Sequence, residues 1–189
     1  FPESPMTAND VEEIESDHVL IATGARWRSD GVGINRDTVM AGLPETGILT
    51  PDDIFRGKIP QGPTLLYDDD HYYMGSAISE QLLDQGIQLT IATPEDMVSA
   101  WSKFTAEQHL VHGRLADKGA RIITAHSLES FDGSEAVLKC VYTDSEVTLG
   151  VLNLVLVTSR QPRDELYQEL QSSETFSSAE PPRTLSRIG

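Results

Sequence analysis

Residues 68–73, Asp-Asp-Asp-His-Tyr-Tyr, gather three carboxylates, an imidazole and two phenols between a short apolar run, 64–67, and an amphipathic segment. Carboxylates and imidazoles suit metal ions. Four adjacent residues on one turn, however, rarely converge on a single ion without distant helpers, so no metal ligand is expected. The simpler reading is helix capping by one aspartate with solvated neighbours. The surrounding order of strand, turn, helix and strand is that of a dinucleotide-binding unit, whose turn needs one glycine for tightness, a second for backbone approach to phosphate and a third for helix–strand packing. Gly75 can serve as the third. The first two positions hold Asp and Tyr, and the turn is about two residues longer than the usual one. The next strand should end in an acid that holds the ribose hydroxyls; here Thr93 stands at that point, with Glu95 and Asp96 displaced beyond Pro94. Both halves of the signature fail together. The expectation is a domain that kept its packing and lost its ligand, with Tyr72 and Tyr73 closing the cavity that a nicotinamide nucleotide would use.

Other chemistry-bearing residues read more simply. His109 and His112 stand three apart on a helix without an HExxH arrangement, and are expected at the surface. Cys140 alternates with Leu138 and Tyr142 along a strand face, which predicts a small buried filler. No nucleophile–base pair is evident, so no catalytic residue is assigned.

The elements around the acidic turn are strongly patterned. Val19, Leu20, Ile21 and Ala22 form an apolar strand ending in a Thr-Gly turn. Residues 28–62, rich in Gly, Pro and Asp, read as a connector containing one short helix: Thr50 as N-cap, Pro51 at the first position, Asp52 and Asp53 in the first turn, Gly57 as a stop. Then come a strand at 64–67, a helix over about 73–85 with Met74, Ile78 and Leu82 as its apolar stripe, Gly86 as C-cap and a strand at 88–92. A second helix over 104–119 and a strand from Ala120 complete a βαβαβ order, which favours a parallel sheet. Short strands separated by Asp-Gly-Ser-Glu and Thr-Asp-Ser predict an antiparallel meander. The run 152–157 is another buried strand, 163–172 a helix, 173–182 a loop and 183–189 a last strand.

Fourteen Lys and Arg against 30 Asp and Glu give the 189-residue chain a net charge of −16, which repels nucleic acid and anionic membrane. There is no apolar run of the roughly 18 residues that span a bilayer, and the first residues are acidic and polar. These features predict a soluble, cytoplasmic protein. One cysteine excludes an internal disulfide and a four-thiolate cluster supplied by this chain alone. The chain starts without Met in a loop-like stretch and stops at Gly189, as expected of a piece excised from a longer protein.

Three stretches, residues 18–27 (HVLIATGARW), 43–93 with its acidic aromatic turn, and 154–160 (LVLVTSR), resemble the C-terminal region of trimethylamine dehydrogenase and its relatives, the dimethylamine and histamine dehydrogenases. The resemblance implies an α/β fold: a Rossmann-like βαβαβ sheet with an antiparallel meander, inserted into part of a second FAD/NAD(P)-binding-like domain. The implied boundaries are 1–27 for a strip of the host, 28–62 for the connector, 63–157 for the inserted, degenerate NAD(P)-binding-like domain and 158–189 for the return to the host. It further implies a parent oxidoreductase with FMN and a 4Fe–4S cluster, ADP or FAD beside Thr23, Gly24, Ala25 and Arg26, with Trp27 able to stack, and Gly75 as a remnant of the dinucleotide turn. Partners implied are the remainder of the parent chain and an electron-transfer protein. Two other readings fit the same plan: a working NAD(P)H domain of a dienoyl-CoA-reductase-like flavoenzyme, and an acidic docking module for a redox partner.

Overall fold

The computed structural model describes residues 4–178 and 183–188. The chain divides into two compact units, Phe1–Arg26 with Gln161–Gly189, and Trp27–Arg160. Along the sequence run α1 (Ala8–Glu13), β1 (His18–Ile21), β2 (Ala25–Trp27), β3 (Ile48–Leu49), α2 (Pro51–Phe55), β4 (Thr64–Asp68), α3 (Tyr73–Asp84) and β5 (Leu89–Ala92). A 3₁₀ helix, Ala100–Thr105, leads into α4 (Gln108–Asp117), followed by β6 (Arg121–Ile123), β7 (His126–Phe131), β8 (Glu135–Cys140), β9 (Glu146–Gly150), β10 (Asn153–Val157), β11 (Arg160–Pro162), α5 (Glu165–Ser172), α6 (Glu174–Ser177) and β12 (Thr184–Arg187).

The larger unit is mixed α/β. Its five-stranded sheet has the order β3-β10-β4-β5-β6 and is parallel throughout. β7, β8 and β9 form the expected antiparallel meander. β4 is buried along its whole length, and its alternation divides the core. Leu66, with Ile91, Val155 and Val157, packs against Ile54 of α2, Ile78 and Leu82 of α3, and Val111 and Leu115 of α4. Leu65 and Tyr67, with Leu154 and Leu156, pack against Leu128, Phe131, Leu138 and Leu149 of the meander. A strand apolar on both faces therefore ends up in the middle of three layers. The stripe at Ile78 and Leu82 is fully buried and Met74 partly so, while Glu80 and Asp84 on the outer side pair with Arg114 and Lys118 of α4.

The helix start at Thr50 is as its sequence predicts: the Asp53 carboxylate accepts from the Thr50 N–H at 3.0 Å and from its hydroxyl at 2.9 Å. Other local expectations shift. Segment 28–62, read as a connector, also contributes β3 to the sheet edge beside β10. The helix expected over 104–119 begins only at Gln108, because the preceding residues tighten into the 3₁₀ segment. Glu174–Ser177, within the expected loop, is one helical turn, while residues 179–182 and Gly189 lie outside the described residues. Cys140 is not a buried filler: the meander's packed face ends at Leu138, so Cys140 is half-buried and Tyr142 exposed. Hydrogen bonds from the Thr143 hydroxyl and the Tyr142 backbone lower its pKa.

In the smaller unit β1 and β12 pair in parallel, and Val11, Ile21, Leu170 and Phe176 form its core. No helix among the described residues is long and apolar enough to cross a membrane.

Since Leu82 is fully buried between sheet and helices, Leu82→Ala is expected to destabilise the larger unit by about 2–5 kcal/mol, read from the midpoint shift of its urea transition.

Candidate functional site: the carboxyl ends of β4, β5 and β10

In an open parallel sheet, ligands bind outside the carboxyl ends of the strands where the winding direction changes. Here β5 and β6 follow β4 outward on one side, while β10 and β3 lie on the other, so the change falls between β4 and β10. The acidic turn sits at this place. The backbone N–H groups of Asp69 and Asp70 both donate to the Val157 carbonyl, at 2.8 and 3.1 Å, sealing the ends of β4 and β10 to each other.

The side chains point inward. Asp68, Asp69 and His71 are 1%, 0% and 1% exposed, which corrects the expectation of one cap with solvated neighbours. Nor does an aspartate cap α3, whose N-cap is Tyr72 and receives no side-chain hydrogen bond; the Asp68 Oδ1 instead accepts from the turn itself, from the N–H of Asp70 at 3.3 Å and of His71 at 3.1 Å. Gly75 faces the same carboxylate: a Cβ built there would stand 2.5 Å from the Asp68 Cγ and Oδ2. Gly75 therefore makes room for an aspartate of its own chain, at the position where the third glycine of a dinucleotide turn serves close helix–strand packing.

Asp69 is the second buried carboxylate. Its Oδ2 accepts from the Asn35 backbone N–H at 3.0 Å and its Oδ1 from the Asn35 amide at 2.6 Å. The chain at 33–35 lies so close that a Cβ on Gly33 would meet Asp69 Oδ2 at 2.1 Å and the Thr158 Cβ at 3.1 Å. Gly33 and Asn35 were not singled out from the sequence, because their role depends on a contact 34 residues away. The crevice is filled by these carboxylates and by the 33–35 loop. Tyr72 is exposed, and the half-buried Tyr73 shares its hydroxyl with Thr105 and Glu107.

His71 has φ +64°, a left-handed conformation uncommon for residues with a Cβ, though His adopts it more often than most. Its Nε2 stands 3.3 Å from Asp69 Oδ1 and 4.0 Å from Glu95 Oε1, ion-pair distances without hydrogen-bond geometry. Burial opposes its protonation, but Asp69, Asp68 and Glu95 together outweigh burial and raise its pKa. Burial, only partly offset by the His71 N–H and charge, pushes Asp68 up to about 7. Asp70, at the rim, pairs with Arg160 at 3.4 Å, and that guanidinium lies 4.8 Å from the Trp27 ring centroid. Thr93, where a ribose acid would stand, is buried and accepts from the Glu95 N–H. Among the described residues no group of three or more His, Cys, Asp or Glu has the arrangement of a metal site, and His109 is exposed with His112 half-buried.

In the smaller unit, Thr23 donates its hydroxyl to the Arg163 carbonyl, Gly24 accepts from the Arg163 N–H at 2.9 Å with φ +73°, Ala25 starts β2 and Arg26 pairs with Glu165 at 3.3 Å. The cavity beside Thr23 and Gly24, edged by Arg163, Asp164 and Arg187, holds about 120 Å³. Trp27 belongs to the larger unit's core, and its backbone N–H donates to Asp52 Oδ2 at 3.0 Å.

The profile of the OYE-like second alpha/beta domain matches residues 49–164, which span α2, the whole acidic turn and the meander. The chain belongs to that family. Its relatives are trimethylamine-dehydrogenase-like. Dimethylamine dehydrogenase of Hyphomicrobium sp. (strain x) is 28% identical over 193 residues, covering 90% of this chain and 26% of that protein. Histamine dehydrogenase from Rhizobium sp. 4-9 is 32% identical with a TM-score of 0.93, over 99% of this chain and 29% of its own. The 6-hydroxypseudooxynicotine amine oxidase of Pseudomonas geniculata N1 is 33% identical with a TM-score of 0.91, over 99% and 28%. The chain thus spans less than a third of the length of these relatives.

Two outcomes are expected. Gly33→Ala should cost about 1–3 kcal/mol through overpacking against Asp69, and a double-mutant cycle with Asp69→Ala should show a cost well below the sum of the two single changes. The second concerns pH. Asp68 binds its proton more tightly in the fold than at its ordinary value of 3.8, so its contribution is full below about pH 4 and is lost as pH rises through about 7. His71 is likewise raised above 6.5; its contribution is full below that value and is lost above it. The larger unit should therefore lose on the order of 2 kcal/mol between pH 5.5 and 8.5, measured by urea denaturation, and Asp68→Asn should flatten the slope.

Proposed function

We propose that this chain is the nucleotide-binding-like segment of an FMN- and iron–sulfur-containing amine dehydrogenase-type oxidoreductase, serving a structural or regulatory role, with the chemistry carried by the rest of the parent protein. The observation that carries this reading is the Asp68 carboxylate held by the Asp70 and His71 N–H groups against Gly75. A dinucleotide would need the same donors and the same space for its pyrophosphate. A buried carboxylate there excludes phosphate by volume and by charge, and the Gly33–Asn35 loop over Asp69 closes the neighbouring crevice. In this reading the larger unit is a Rossmann-like domain that has exchanged a ligand for its own side chains. A single cysteine cannot supply four thiolates, and so the cluster ligands, like the flavin site, belong to the remainder of the parent chain, and no step of the oxidation is assigned to residues here.

The smaller unit is the strip of an ADP- or FAD-binding-like host in the same reading. Thr23, Gly24, Ala25 and Arg26 stand at its candidate edge. The Thr23 hydroxyl and the Arg26 guanidinium already have partners within the chain, and about 120 Å³ is well below the roughly 300 Å³ of a small-molecule site. Any adenine nucleotide held there therefore needs walls from the remainder of the parent. Leu20, exposed on β1, and the groove of about 780 Å³ that it lines with Met6, Ile14 and Leu166 are apolar surfaces that such walls would cover. The acidic charge and the absence of a long apolar helix among the described residues fit a soluble parent, which we place in the cytoplasm.

Calorimetric titration with NADH, NADPH and ADP tests the central point. Neither reduced nucleotide should bind in the micromolar range; micromolar binding of either would return the larger unit to a working NAD(P)H domain of a dienoyl-CoA-reductase-like enzyme.

A further inference from the structure

The 3₁₀ segment Ala100–Thr105 is six residues long, beyond the three or four at which such helices usually stop. Both of its flanks are strained: Ser99 has φ +49° and Ala106 φ +60°, left-handed conformations costing about 1–2 kcal/mol each for a residue with a Cβ. Several bonds fix it in place, two of them to the acidic turn. The Trp101 N–H donates to the His71 carbonyl at 2.9 Å and the Glu107 N–H to the Ser102 carbonyl at 3.1 Å. The buried Ser102 hydroxyl donates to the Ser99 carbonyl at 2.7 Å, and Thr105 Oγ1 lies 2.7 Å from the Tyr73 hydroxyl and 2.7 Å from Glu107 Oε2.

What this fixed backbone displays is aromatic. Residues three apart in a 3₁₀ helix eclipse one another, which puts Trp101 and Phe104 on one side, 47% and 80% exposed. Tyr72, next to the His71 carbonyl that anchors Trp101, is exposed as well. A loop with freedom to move would turn such rings toward the protein. Strained flanks and anchoring bonds hold them at the surface instead, with the Trp101 ring 6.2 Å from the His71 ring and Tyr72 4.1 Å from Tyr73, as suits rigid aromatic anchors that fill a partner's pocket with little loss of entropy. The surrounding charge is mostly acidic, with exposed Asp96 and Glu107 and half-buried Glu95 against Lys103, whose ammonium lies 5.4 Å from the Phe104 centroid.

We infer that Trp101, Phe104 and Tyr72 form a docking ledge for another part of the same polypeptide, an apolar pocket with a basic rim lying outside residues 1–189. This rests on the proposed origin of the chain in a longer enzyme. The occupant follows from length: relatives that match 90–99% of this chain are more than three times as long, so most of the surface such a parent offers to the ledge lies outside this segment. The acidic flanks select a basic rim.

The test uses the full-length parent protein. Hydroxyl-radical footprinting should oxidise Trp101 and Phe104 roughly tenfold more slowly than the exposed Tyr142, since a docked aromatic is shielded from water by its neighbours, and this protection should persist on dilution. A photo-crosslinker at Phe104 should join, within one polypeptide, to a residue outside this segment. Rapid oxidation at every concentration overturns the inference, as does crosslinking that runs between two copies or to a separate protein. Flavin content of the same sample separates the two claims. A flavin-bearing parent with an accessible ledge removes only the ledge, whereas a parent without flavin removes the proposed function.

Discussion

Everything at the carboxyl ends of the sheet depends on the burial of two adjacent carboxylates in a chain that already carries a net charge of −16. A carboxylate leaves water at a cost of several kcal/mol unless hydrogen bonds and opposite charge replace its hydration. Asp68 and Asp69 meet that demand with different means. Asp68 uses the backbone N–H groups of Asp70 and His71 in the turn before α3 and a proton affinity raised by burial, while Asp69 uses the backbone and amide of Asn35 and the neighbouring imidazole of His71. These requirements explain two glycines, since Gly75 and Gly33 are the places where a Cβ would collide with one carboxylate or the other. They also explain why His71 accepts a left-handed backbone: the turn must bring its N–H to Asp68 and its ring to Asp69 at once.

A turn that binds its own carboxylates has consequences for function. In the proposed reading, the Asp70 and His71 N–H groups and the space beside Gly75 go to Asp68 rather than to a pyrophosphate. Fold and ligand are separable in this way because the packing of a βαβ unit depends on its apolar stripes, whereas phosphate binding depends on a few backbone atoms and the absence of side chains around them. The core of Leu66, Ile78, Leu82 and Ile91 is intact; the backbone access is gone.

Much of this was legible in the residues. β4, α3 and β5 followed from the run at 64–67 and the stripe at Ile78 and Leu82, since periodicity reports which faces are buried regardless of partner. The meander followed from its turns, and the helix at Pro51 from its capping residues. The missing glycines and the misplaced acid after β5 were equally visible, and they set the expectation of a lost ligand. Less legible were features whose cause lies far away in sequence. The edge strand Ile48–Leu49 pairs with residues about a hundred positions later, and two residues carry too little periodicity to announce a strand. Cys140 lies at the end of a face whose packing stops one step earlier, which alternation alone does not reveal.

By itself, then, the sequence determined the layering of the larger unit and the failure of its dinucleotide signature, because apolar spacing and turn chemistry are local. Only the tertiary structure decided where the acidic turn's side chains go. Whether Asp68, Asp69 and His71 face water or the interior depends on the Gly33–Asn35 loop and on Val157, brought to them by the return of β10 beside β4. A charged residue has the same identity in either place. Its environment, and with it its proton affinity and its role, is set by contacts that no spacing of neighbours encodes.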